Sequence, residues 1–449
     1  MNNLLHDVAA RADAYLNGLQ KRKVAPDPAA VAALDALDGA LPDAPCDPRE
    51  VIELLDRYGS PATMAMGGSR FFGFVIGGAL PAAMAANWLA TAWDQNSAMH
   101  NVTPATARLE QTALRWLIDL FGLPAGTGGA FVTGATVANF AALAAARHNV
   151  LARAGWNVEA DGLFGAPPIT VVVGDEVHPS AVKSLGMLGL GRNRVVRVPV
   201  DGQGRMRVEA LPRISGPTII CTQIGNVNTG ASDAVGAVRE HAGADAWIHV
   251  DGAFGLWARV APSRASLVEG IELADSWATD AHKWLNVPYD CGLAFVRDAN
   301  ALSAAMAITA EYLPTRTEGR NPADFTPELS RRARGVDVWA AMRSLGRSGL
   351  AEMIERNCWQ ARRFAEALAA SGFEILNEVA LNQVLVAFGD AARTQRVIAA
   401  LQADGTCWCG ITVWQGRTAM RISVSSWATT DADVELSIEA IRRVAAETA

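Results

Sequence analysis

The sequence predicts an α/β fold: a mostly parallel seven-stranded sheet flanked by helices, with an N-terminal helical arm and a small C-terminal α+β domain. Three observations predict it. Short β-branched runs alternate with helical patterns between about residues 128 and 300, which is typical of a parallel sheet covered on both faces. The residues before this region are alanine-rich and helical in pattern, and those after it mix short strands with helices.

Length and composition allow more than one hydrophobic core. The chain has 449 residues, of which 50% are hydrophobic and 19% are charged, and single cores rarely grow beyond about 250–300 residues. The predicted divisions are an N-terminal helical segment at 1–102, a large domain at 103–330 with a mobile loop near 312–330, and linking helices with the C-terminal domain at 331–449.

Charge and composition exclude several partners and sites. The net charge is −7 and no basic run occurs, so neither nucleic acid nor an anionic membrane is expected as a partner. No signal peptide or membrane span is recognisable, and a cytoplasmic location is expected. The six cysteines are dispersed. Cys407-Trp408-Cys409 fits the alternation of a strand better than a zinc site, so no metal site is predicted.

The N-terminal arm is expected to pack on another subunit or domain. Its three predicted helices are separated by proline-containing links and lie at 6–20, 28–38 and 48–58. Glycines and aromatic residues then cluster at 67–74, a pattern that favours close approach of the backbone to another group. Helices are predicted at 81–97 and 104–121, with a polar segment at 96–101.

The central region alternates strands and helices. The predicted strands are 129–133, 169–174, 194–198, 217–222, 246–251, 274–279 and 291–296. The predicted helices between them are 136–153, 179–190 and 232–243. Ligands of such sheets bind beyond the carboxyl ends of the strands, so the polar residues that follow those ends are candidates for a site.

The first such group, Thr133-Gly134-Ala135-Thr136, lies where a strand leads into a helix. Backbone amides at the positive end of a helix can bind a phosphate. The motif lacks the endings of a P-loop and of a dinucleotide-binding turn. Since threonine and glycine also begin many ordinary helices, a simple helix cap remains the alternative.

Lys283 and Asp251 suggest a more specific chemistry. Lys283 is predicted in a short turn between two strands, where a lysine can form a Schiff base with an aldehyde cofactor; the alternative is a basic side chain that reaches solvent. Asp251 ends an apolar strand and requires a cationic partner. A protonated pyridine nitrogen would serve, and a strand-end cap or buried ion pair is the alternative.

Histidines near strand ends have two interpretations. His178 can stack on a flat heteroaromatic ring or move protons near it, and His282, beside the lysine, can donate to a phosphate. Both can equally be structural. His100 and His249 are interpreted as structural, the latter because it lies within a strand.

Beyond residue 297 the chain leaves the sheet domain. The loop at 312–330 contains several proline residues and shows no periodicity, and loops of this length are usually functional or disordered. The remaining predicted helices are 335–347, 348–370, 391–404 and 431–446, and the remaining predicted strands are 373–377, 382–388, 407–414 and 417–424.

The ordered motifs resemble those of the group II amino-acid decarboxylases, pyridoxal 5'-phosphate (PLP) enzymes of fold type I in the aspartate aminotransferase superfamily. The similarity covers nearly the whole chain. The motifs are Thr133 to Asn139, His178, Asp251-Gly252-Ala253, His282-Lys283-Trp284, Thr103 to Thr106 with Leu109-Glu110, and Arg421-Ile422-Ser423 with Thr429-Thr430.

The resemblance implies a role for each matching residue. It implies an internal aldimine on Lys283, pairing of Asp251 with the pyridine nitrogen, and His178 and Ala253 on opposite faces of the ring. It places the phosphate at the turn that begins with Thr133, held by Ala135, Thr136 and His282, and the ring hydroxyl near Asn226. Arg421 is implied on the substrate carboxylate side. We expect the substrate pocket to draw on Phe72 in the aromatic cluster and on the segment that contains His100.

The activity implied is decarboxylation of an L-amino acid to its amine and CO2 by a homodimer whose active sites lie at the subunit interface. The alternatives are a decarboxylation-dependent aldehyde synthase, a PLP-dependent carbon–carbon lyase like the sphingosine-phosphate lyases, and a non-catalytic PLP-fold protein. The side chains expected around the substrate do not identify the amino acid.

The chain departs from the family pattern at four places. Thr133 to Thr136 replaces a Ser-Gly-Gly-Ser-like turn, Asp280-Ala281 replaces Asn-Pro, and Gly68-Ser69 replaces His-Pro. The family's loop tyrosine protonates the product carbon, whereas here the loop has Tyr312 only at its start and Phe325 as its other aromatic residue. Relatives in which phenylalanine replaces that tyrosine produce aldehydes. The product and the proton donor, for which His178 is one candidate, therefore remain open.

Overall fold

The computed structural model describes residues 2–308 and 319–448. Tyr312 and the first part of the predicted loop at 312–330, up to residue 318, lie outside these residues. The α-helices in the described ranges are α1 Asn2–Gly18, α2 Pro28–Ala32, α3 Pro48–Leu54, α4 Ser60–Ala62, α5 Pro81–Trp93, α6 Pro104–Phe121, α7 Ala135–Ala152, α8 Val158–Asp161, α9 Pro179–Met187, α10 Val235–Ala242, α11 Ala299–Met306, α12 Arg334–Ala370, α13 Ala391–Asp404 and α14 Asp431–Glu447.

The strands are β1 Phe71–Phe72, β2 Gly128–Val132, β3 Thr170–Gly174, β4 Val196–Val198, β5 Thr218–Gln223, β6 Trp247–Asp251, β7 Ser276–Asp280, β8 Gly292–Val296, β9 Glu374–Ile375, β10 Gln383–Ala387, β11 Trp408–Trp414 and β12 Arg417–Ser423. Strands β2 to β8 form one seven-stranded sheet in the order β2-β8-β7-β6-β5-β3-β4. The predicted α/β fold class and the seven predicted strands are confirmed.

Three predicted helices differ from the structure for local reasons. The helix predicted at 81–97 ends at Trp93, because Asp94 adopts a left-handed conformation with φ of 48° and terminates it. The helices predicted at 335–347 and 348–370 are joined as α12, which is kinked at Gly346, where φ is 61° and ψ is −176°. Glycine tolerates this conformation without the strain that a Cβ would introduce.

The chain divides into two compact units. The larger contains Ala79–Arg362 and Asn377–Gln383, and the smaller contains Met1–Gly78, Arg363–Leu376 and Val384–Ala449. The limits of these two units differ from the domain boundaries proposed at residues 102 and 330. Residues 1–78 belong with the C-terminal strands and helices, whereas 79–102 belong with the large sheet.

Strand directions bring several strand ends to one edge of the large sheet. Strands β3 to β7 are parallel to one another, and β8 is antiparallel to both of its neighbours, β7 and β2. Strand β2 therefore runs in the same direction as β7. The carboxyl ends of β2, β5, β6 and β7 share an edge, where ligands of such sheets bind.

The two faces of the large sheet are packed differently. On one face, the alanine-rich helix α7 approaches closely through buried side chains such as Ala138, Ala141 and Ala145. On the other face, Phe121 makes edge-to-face contacts with Trp257 and Phe295, with ring centroids 5.0 and 6.1 Å apart. Small side chains on α7 hold its N-terminus near the strand edge.

The smaller unit contains a five-stranded sheet in the order β1-β11-β12-β10-β9. Strand β1 pairs in parallel with β11, so that Phe71 lies opposite Trp408 and their rings stack at 5.1 Å. Cys407 and Cys409 are buried free cysteines on either side of Trp408, as the predicted alternation requires. Across residues 2–308 and 319–448, no helix has the length and apolar character needed to cross a membrane.

Candidate active site

Lys283 lies in the turn between β7 and β8, as predicted. Its Nζ is 2.9 Å from Oδ2 of Asp280, the last residue of β7. The Lys283 side chain is about 20% exposed, whereas that of Asp280 is only 2% exposed. The lysine amine is therefore held at the strand edge by a nearly buried carboxylate.

Asp280 has an oxygen that the surrounding protein does not satisfy. Its Oδ1 is buried and has no hydrogen-bond partner among the described residues, and it lies 3.7 Å from Nε2 of His282. A buried acceptor without a partner is costly, so this atom is typical of a site that receives another polar group.

His282 presents an N–H group to the same space. Its Nδ1 accepts a hydrogen bond of 3.0 Å from the backbone N–H of Cys291, which leaves the proton of the neutral ring on Nε2. Burial lowers the pKa of His282, and Lys283 also lowers it, while Asp280 acts in the opposite direction. The ring is therefore neutral near physiological pH, with Nε2 as its donor.

Tyr289 was not singled out by the sequence analysis. Its ring stacks on that of His282 with centroids 4.3 Å apart and an interplanar angle of 28°. Partial burial, together with the nearby Asp280 carboxylate, raises the pKa of the Tyr289 phenol to about 12. The phenol therefore keeps its proton. Its position between Lys283 and the next strand is the one sequence signal that could have pointed to it.

The N-terminus of α7 faces the lysine turn. The first helical hydrogen bond runs from the N–H of Ala138 to the carbonyl of Gly134, and none of the described side chains caps this end. A Cβ added at Gly134 would lie 3.3 Å from Cε1 of His282 and 3.6 Å from Oδ1 of Asp280. Free amide groups, His282 and Asp280 thus converge, and a small anion would find donors there.

Asp251 ends β6, the strand beside β7. It is about 5% exposed, and its Oδ2 accepts a 3.0 Å hydrogen bond from Nδ2 of Asn139 while its Oδ1 accepts one of 3.2 Å from the N–H of Ala253. The carbonyl of Ala253 in turn accepts the N–H of Asp280 at 2.9 Å. The Asp251 and Lys283 segments are therefore joined directly by backbone pairing.

His178 connects to the same helix end through two serines. It caps α9, and its Nδ1 lies 2.6 Å from Oγ of Ser180. Ser184 donates to the carbonyls of Ser180 and Thr136, which ties the start of α9 to the start of α7. A histidine directly before a proline-started helix is fixed in position, as a ring-stacking role would require.

Asn226 uses its side-chain amide both within its own loop and to contact the loop after β3. Its Oδ1 accepts the backbone N–H groups of Asn228 and Thr229 at 2.9 and 3.2 Å, and its Nδ2 donates to Oε2 of Glu176 at 3.0 Å. Glu176 lies two residues before His178, so the loops after β3 and β5 are connected. The proposed contact of Asn226 with a ring hydroxyl stays a prediction.

The three predicted substrate-side residues lie in different places. His100 belongs to the larger unit, where its backbone N–H donates to Asn321 at 3.1 Å. Phe72 and Arg421 belong to the smaller unit. Phe72 is about 1% exposed and packs edge-to-face on Phe364, and burial lowers the pKa of Arg421. Their substrate contacts stay predictions.

The residues present fit PLP. The α7 amides and His282 Nε2 are suitable donors for a phosphate, Lys283 supplies an amine, and Asp251 supplies a carboxylate for a protonated ring nitrogen. The glycine at position 134 leaves the space that a phosphate would occupy, since a side chain there would contact His282 and Asp280. The Asp280 carboxylate lies beside the turn at Gly134, and its charge opposes a phosphate there.

These features define the class of protein: a PLP-dependent enzyme with the fold type I architecture. The family follows from the sequence itself. The Pyridoxal-dependent decarboxylase conserved domain matches residues 35–389, and the chain belongs to that family. The protein is a carboxy-lyase that uses PLP.

Individual relatives support this membership and differ in their chemistry. The chain is 28% identical to tryptophan decarboxylase 1 of Oryza sativa subsp. japonica over 84% of this chain and 80% of the relative. It is 26% identical to phenylacetaldehyde synthase of Arabidopsis thaliana over 74% and 73%. The crystal structure of Oryza sativa TDC with PLP and tryptamine matches with a TM-score of 0.91 over 99% of this chain and 97% of that chain, at 24% identity. Both amine-forming and aldehyde-forming relatives thus occur at similar distance.

Proposed function

We propose that this protein decarboxylates an L-amino acid to the corresponding amine and CO2. The observation that carries the proposal is the 2.9 Å pair between Lys283 Nζ and Asp280 Oδ2, placed against an open helix N-terminus and beside the Asp251 strand end. When bound, PLP supplies an aldehyde for the lysine amine and a ring that takes up the electrons left when CO2 departs.

The chain's own residues have separate tasks in this proposal. Lys283 Nζ binds PLP, Asp251 binds its ring nitrogen, and the α7 amides with His282 Nε2 bind its phosphate. Asp280 Oδ2 is the base nearest to Lys283 Nζ and takes the proton that the amine must lose before it can react. The same carboxylate holds the lysine as an ammonium when it is released.

Tyr289 is our proposed proton donor in place of the family's loop tyrosine. The bond between the α-carbon and the carboxylate breaks, CO2 leaves, and the proton on Tyr289 Oη passes to that carbon; water then restores the phenol. Support comes from its stacking on His282 at 4.3 Å and from the raised pKa of Tyr289, about 12, which keeps the proton in place. His178 is the second candidate donor.

Aldehyde formation is the second candidate function. It is favoured by the segment 313–330, whose one aromatic residue, Phe325, is covered by Arg320 with its Cζ 4.1 Å from the ring centroid. In this reaction O2 oxidises the α-carbon after CO2 has left and is reduced to hydrogen peroxide. Hydrolysis then releases the aldehyde and ammonia.

Spectroscopy tests the cofactor site. We expect the protein mixed with PLP to show an absorption band near about 420 nm, and we expect Lys283→Ala to lose it. A colourless wild-type protein in the presence of PLP contradicts the proposal. Arg153→Ala, at an exposed ion pair with Asp245, is a suitable control and should keep the band.

Product analysis tests the reaction. A panel of L-amino acids is assayed for CO2, amine, aldehyde and peroxide, in air and without O2. The proposal predicts amine equal to CO2 in both conditions. Tyr289→Phe should lower amine formation about a hundredfold, the usual size of a general-acid contribution, with the PLP band retained, whereas Tyr58→Phe should not. Aldehyde and peroxide equal to CO2 in the wild type would establish the second candidate instead.

A further inference from the structure

A chain of buried hydrogen bonds leads to Asp251 from behind the cofactor site. Nε1 of Trp247 lies 2.8 Å from Oγ of Ser276, which lies 2.9 Å from Nδ1 of His249. Nε2 of His249 lies 2.8 Å from Oδ1 of Asn139, whose Nδ2 donates to Asp251 at 3.0 Å. Each of these five residues is at most 5% exposed.

The donor of each hydrogen bond in this series follows from the chemistry of the residues at its two ends, Trp247 and Asp251. An indole N–H can only donate, so Ser276 Oγ accepts from Trp247. At the other end, an ionised carboxylate can only accept, so Asn139 presents its NH2 to Asp251 and its oxygen to His249. His249 must then carry its proton on Nε2, and its Nδ1 accepts the hydroxyl proton of Ser276.

A neutral His249 is consistent with its surroundings. Burial lowers the pKa of His249 to about 4, with Asp251 acting weakly in the opposite direction. The other titratable group beside Asp251 is Cys221, and burial raises the pKa of its thiol to about 12, so that it stays uncharged. Neither His249 nor Cys221 therefore adds a charge beside Asp251.

The alternative is that these are ordinary core contacts that satisfy a buried histidine. The order of the donors argues against this. Trp247, Ser276, His249 and Asn139 each donate toward Asp251, so the dipoles of four groups point their positive ends at one carboxylate. Hydrogen bonds to the charged form of an acid favour that form, and bonds within a chain strengthen one another.

We propose that Asn139, His249 and Ser276 are positioning residues that keep Asp251 ionised and aimed at the ring nitrogen of bound PLP. The inference rests on the proposed cofactor site and deepens it. The sequence analysis interprets His249 as structural because it lies within β6. In this proposal His249 is instead the central residue of the hydrogen-bond series, between Ser276 on β7 and Asn139 on α7.

The experiment reads the ring nitrogen directly. The full-length protein is loaded with PLP carrying 15N at the pyridine position, and the 15N chemical shift is recorded between about pH 6 and pH 9, alongside the PLP dissociation constant. In the wild type we expect a protonated nitrogen throughout. In His249→Leu we expect the shift of a neutral pyridine at the upper end of this range and an approximately tenfold weaker affinity, since the buried hydrogen bond from His249 to Asn139, which orients the donor to Asp251, is lost.

Matched variants separate positioning from folding. His249→Gln retains a donor toward Asn139 and should restore the protonated signal. Ser276→Ala removes only the far hydroxyl and should shift the signal in the same direction by less, which keeps the test valid should His249→Leu not fold. Thr222→Val removes a neighbouring buried hydrogen bond to the carbonyl of His249. This bond is not part of the series that leads to Asp251, so the 15N signal should be unchanged.

Different outcomes overturn different statements. A wild-type protein that binds no PLP overturns the proposed function and the inference with it. A wild type that binds PLP with a neutral ring nitrogen, or folded His249→Leu and Ser276→Ala proteins whose 15N shift matches the wild type, overturns the inference alone.

Discussion

At the scale of single residues, Asp280 is the most informative departure from the family pattern. It occupies the position where the resemblance leads one to expect asparagine. It is 2% exposed, and one of its oxygens has no hydrogen-bond partner in the part of the chain that the structure describes. The Asp280 carboxylate lies 2.9 Å from Lys283 Nζ, and its charge opposes that of a phosphate at the neighbouring helix end. Its carboxylate therefore affects both the amine and the anion site.

We predict that Asp280→Asn binds PLP about tenfold more tightly than the wild type, because a negative charge close to the phosphate is removed in a partly buried site. The dissociation constant is measured by fluorescence titration at low and high salt. Asp245→Asn, at an 85% exposed carboxylate, should change it little. Weaker binding by Asp280→Asn would contradict this assignment.

Asp337 gives a pH-dependent prediction. It lines a cavity of about 320 Å³ with Arg332 and Arg334; Asn87 donates to its Oδ2, and its buried Oδ1 has no hydrogen-bond partner within 2–308 and 319–448. Burial raises the pKa of Asp337 from 3.8 to about 6. Between these values the folded protein binds more protons than the unfolded chain, so stability falls as the pH rises through this window.

Asp337→Asn should remove the loss of stability that accompanies the rise in pH. The shift from 3.8 to about 6 corresponds to at most about 3 kcal/mol, so we expect the variant to be more stable than the wild type at pH 8 and equal or less stable at pH 4. Urea unfolding at both pH values measures this. An equal gain at both would show that charge is not the cause.

At the scale of elements, the site depends on how closely α7 approaches β8. A Cβ on Gly292, the first residue of β8, would lie 2.5 Å from the backbone of Gly134. Real Cβ atoms do not approach backbone so closely, and a larger residue must displace the start of α7. The phosphate donors are therefore positioned by a glycine on another strand.

We predict that Gly292→Ala weakens PLP binding by at least tenfold and lowers the free energy of unfolding by about 1–3 kcal/mol, as overpacking usually does. Gly202→Ala, at a glycine with open space around it, is the matched control. Wild-type PLP affinity in Gly292→Ala would mean that α7 does not contribute to the phosphate site.

The sequence predicted elements better than contacts. The strand ends at Asp251 and Lys283 could be recognised because polar residues follow apolar runs there. The partners of these residues could not: Asn139 is 112 residues from Asp251, and Ser276 is 27 from His249. Tyr289 was missed for a different reason: it is only seven residues from His282, but the two rings stack only when the turn is folded. Non-local contacts leave no periodic signal in the chain.

At the scale of the whole molecule, the N-terminal arm carries apolar side chains that its own unit leaves open. Leu41 is about 91% exposed and Leu55 about 57%, and helices α2 and α3 bury no residue. Isolated exposed apolar residues are common, but a series along one arm indicates a surface covered by another chain. This supports the proposed homodimer.

We predict that the wild type elutes as a dimer in size-exclusion chromatography with light scattering and that Leu54→Glu/Leu55→Glu dissociates at about tenfold higher protein concentration. Charges introduced into an apolar interface are desolvated at a cost. Leu436→Glu, on α14 and about 45% exposed, should leave the dimer intact. A monomeric wild type would contradict the proposal.

The antiparallel direction of β8 also determines where the protein can tolerate insertions and deletions. Asp280 and Gly292 are paired across β7 and β8, so residues 281–291 leave and re-enter the sheet at one point. An insertion in this connection would move the lysine while leaving the strand pairing intact. An insertion after Val296, at the opposite edge of the sheet, would not move the lysine. Among homologues we therefore expect the loops at the edge that contains Val296 to vary in length, and we expect the connection 281–291 to keep a constant length.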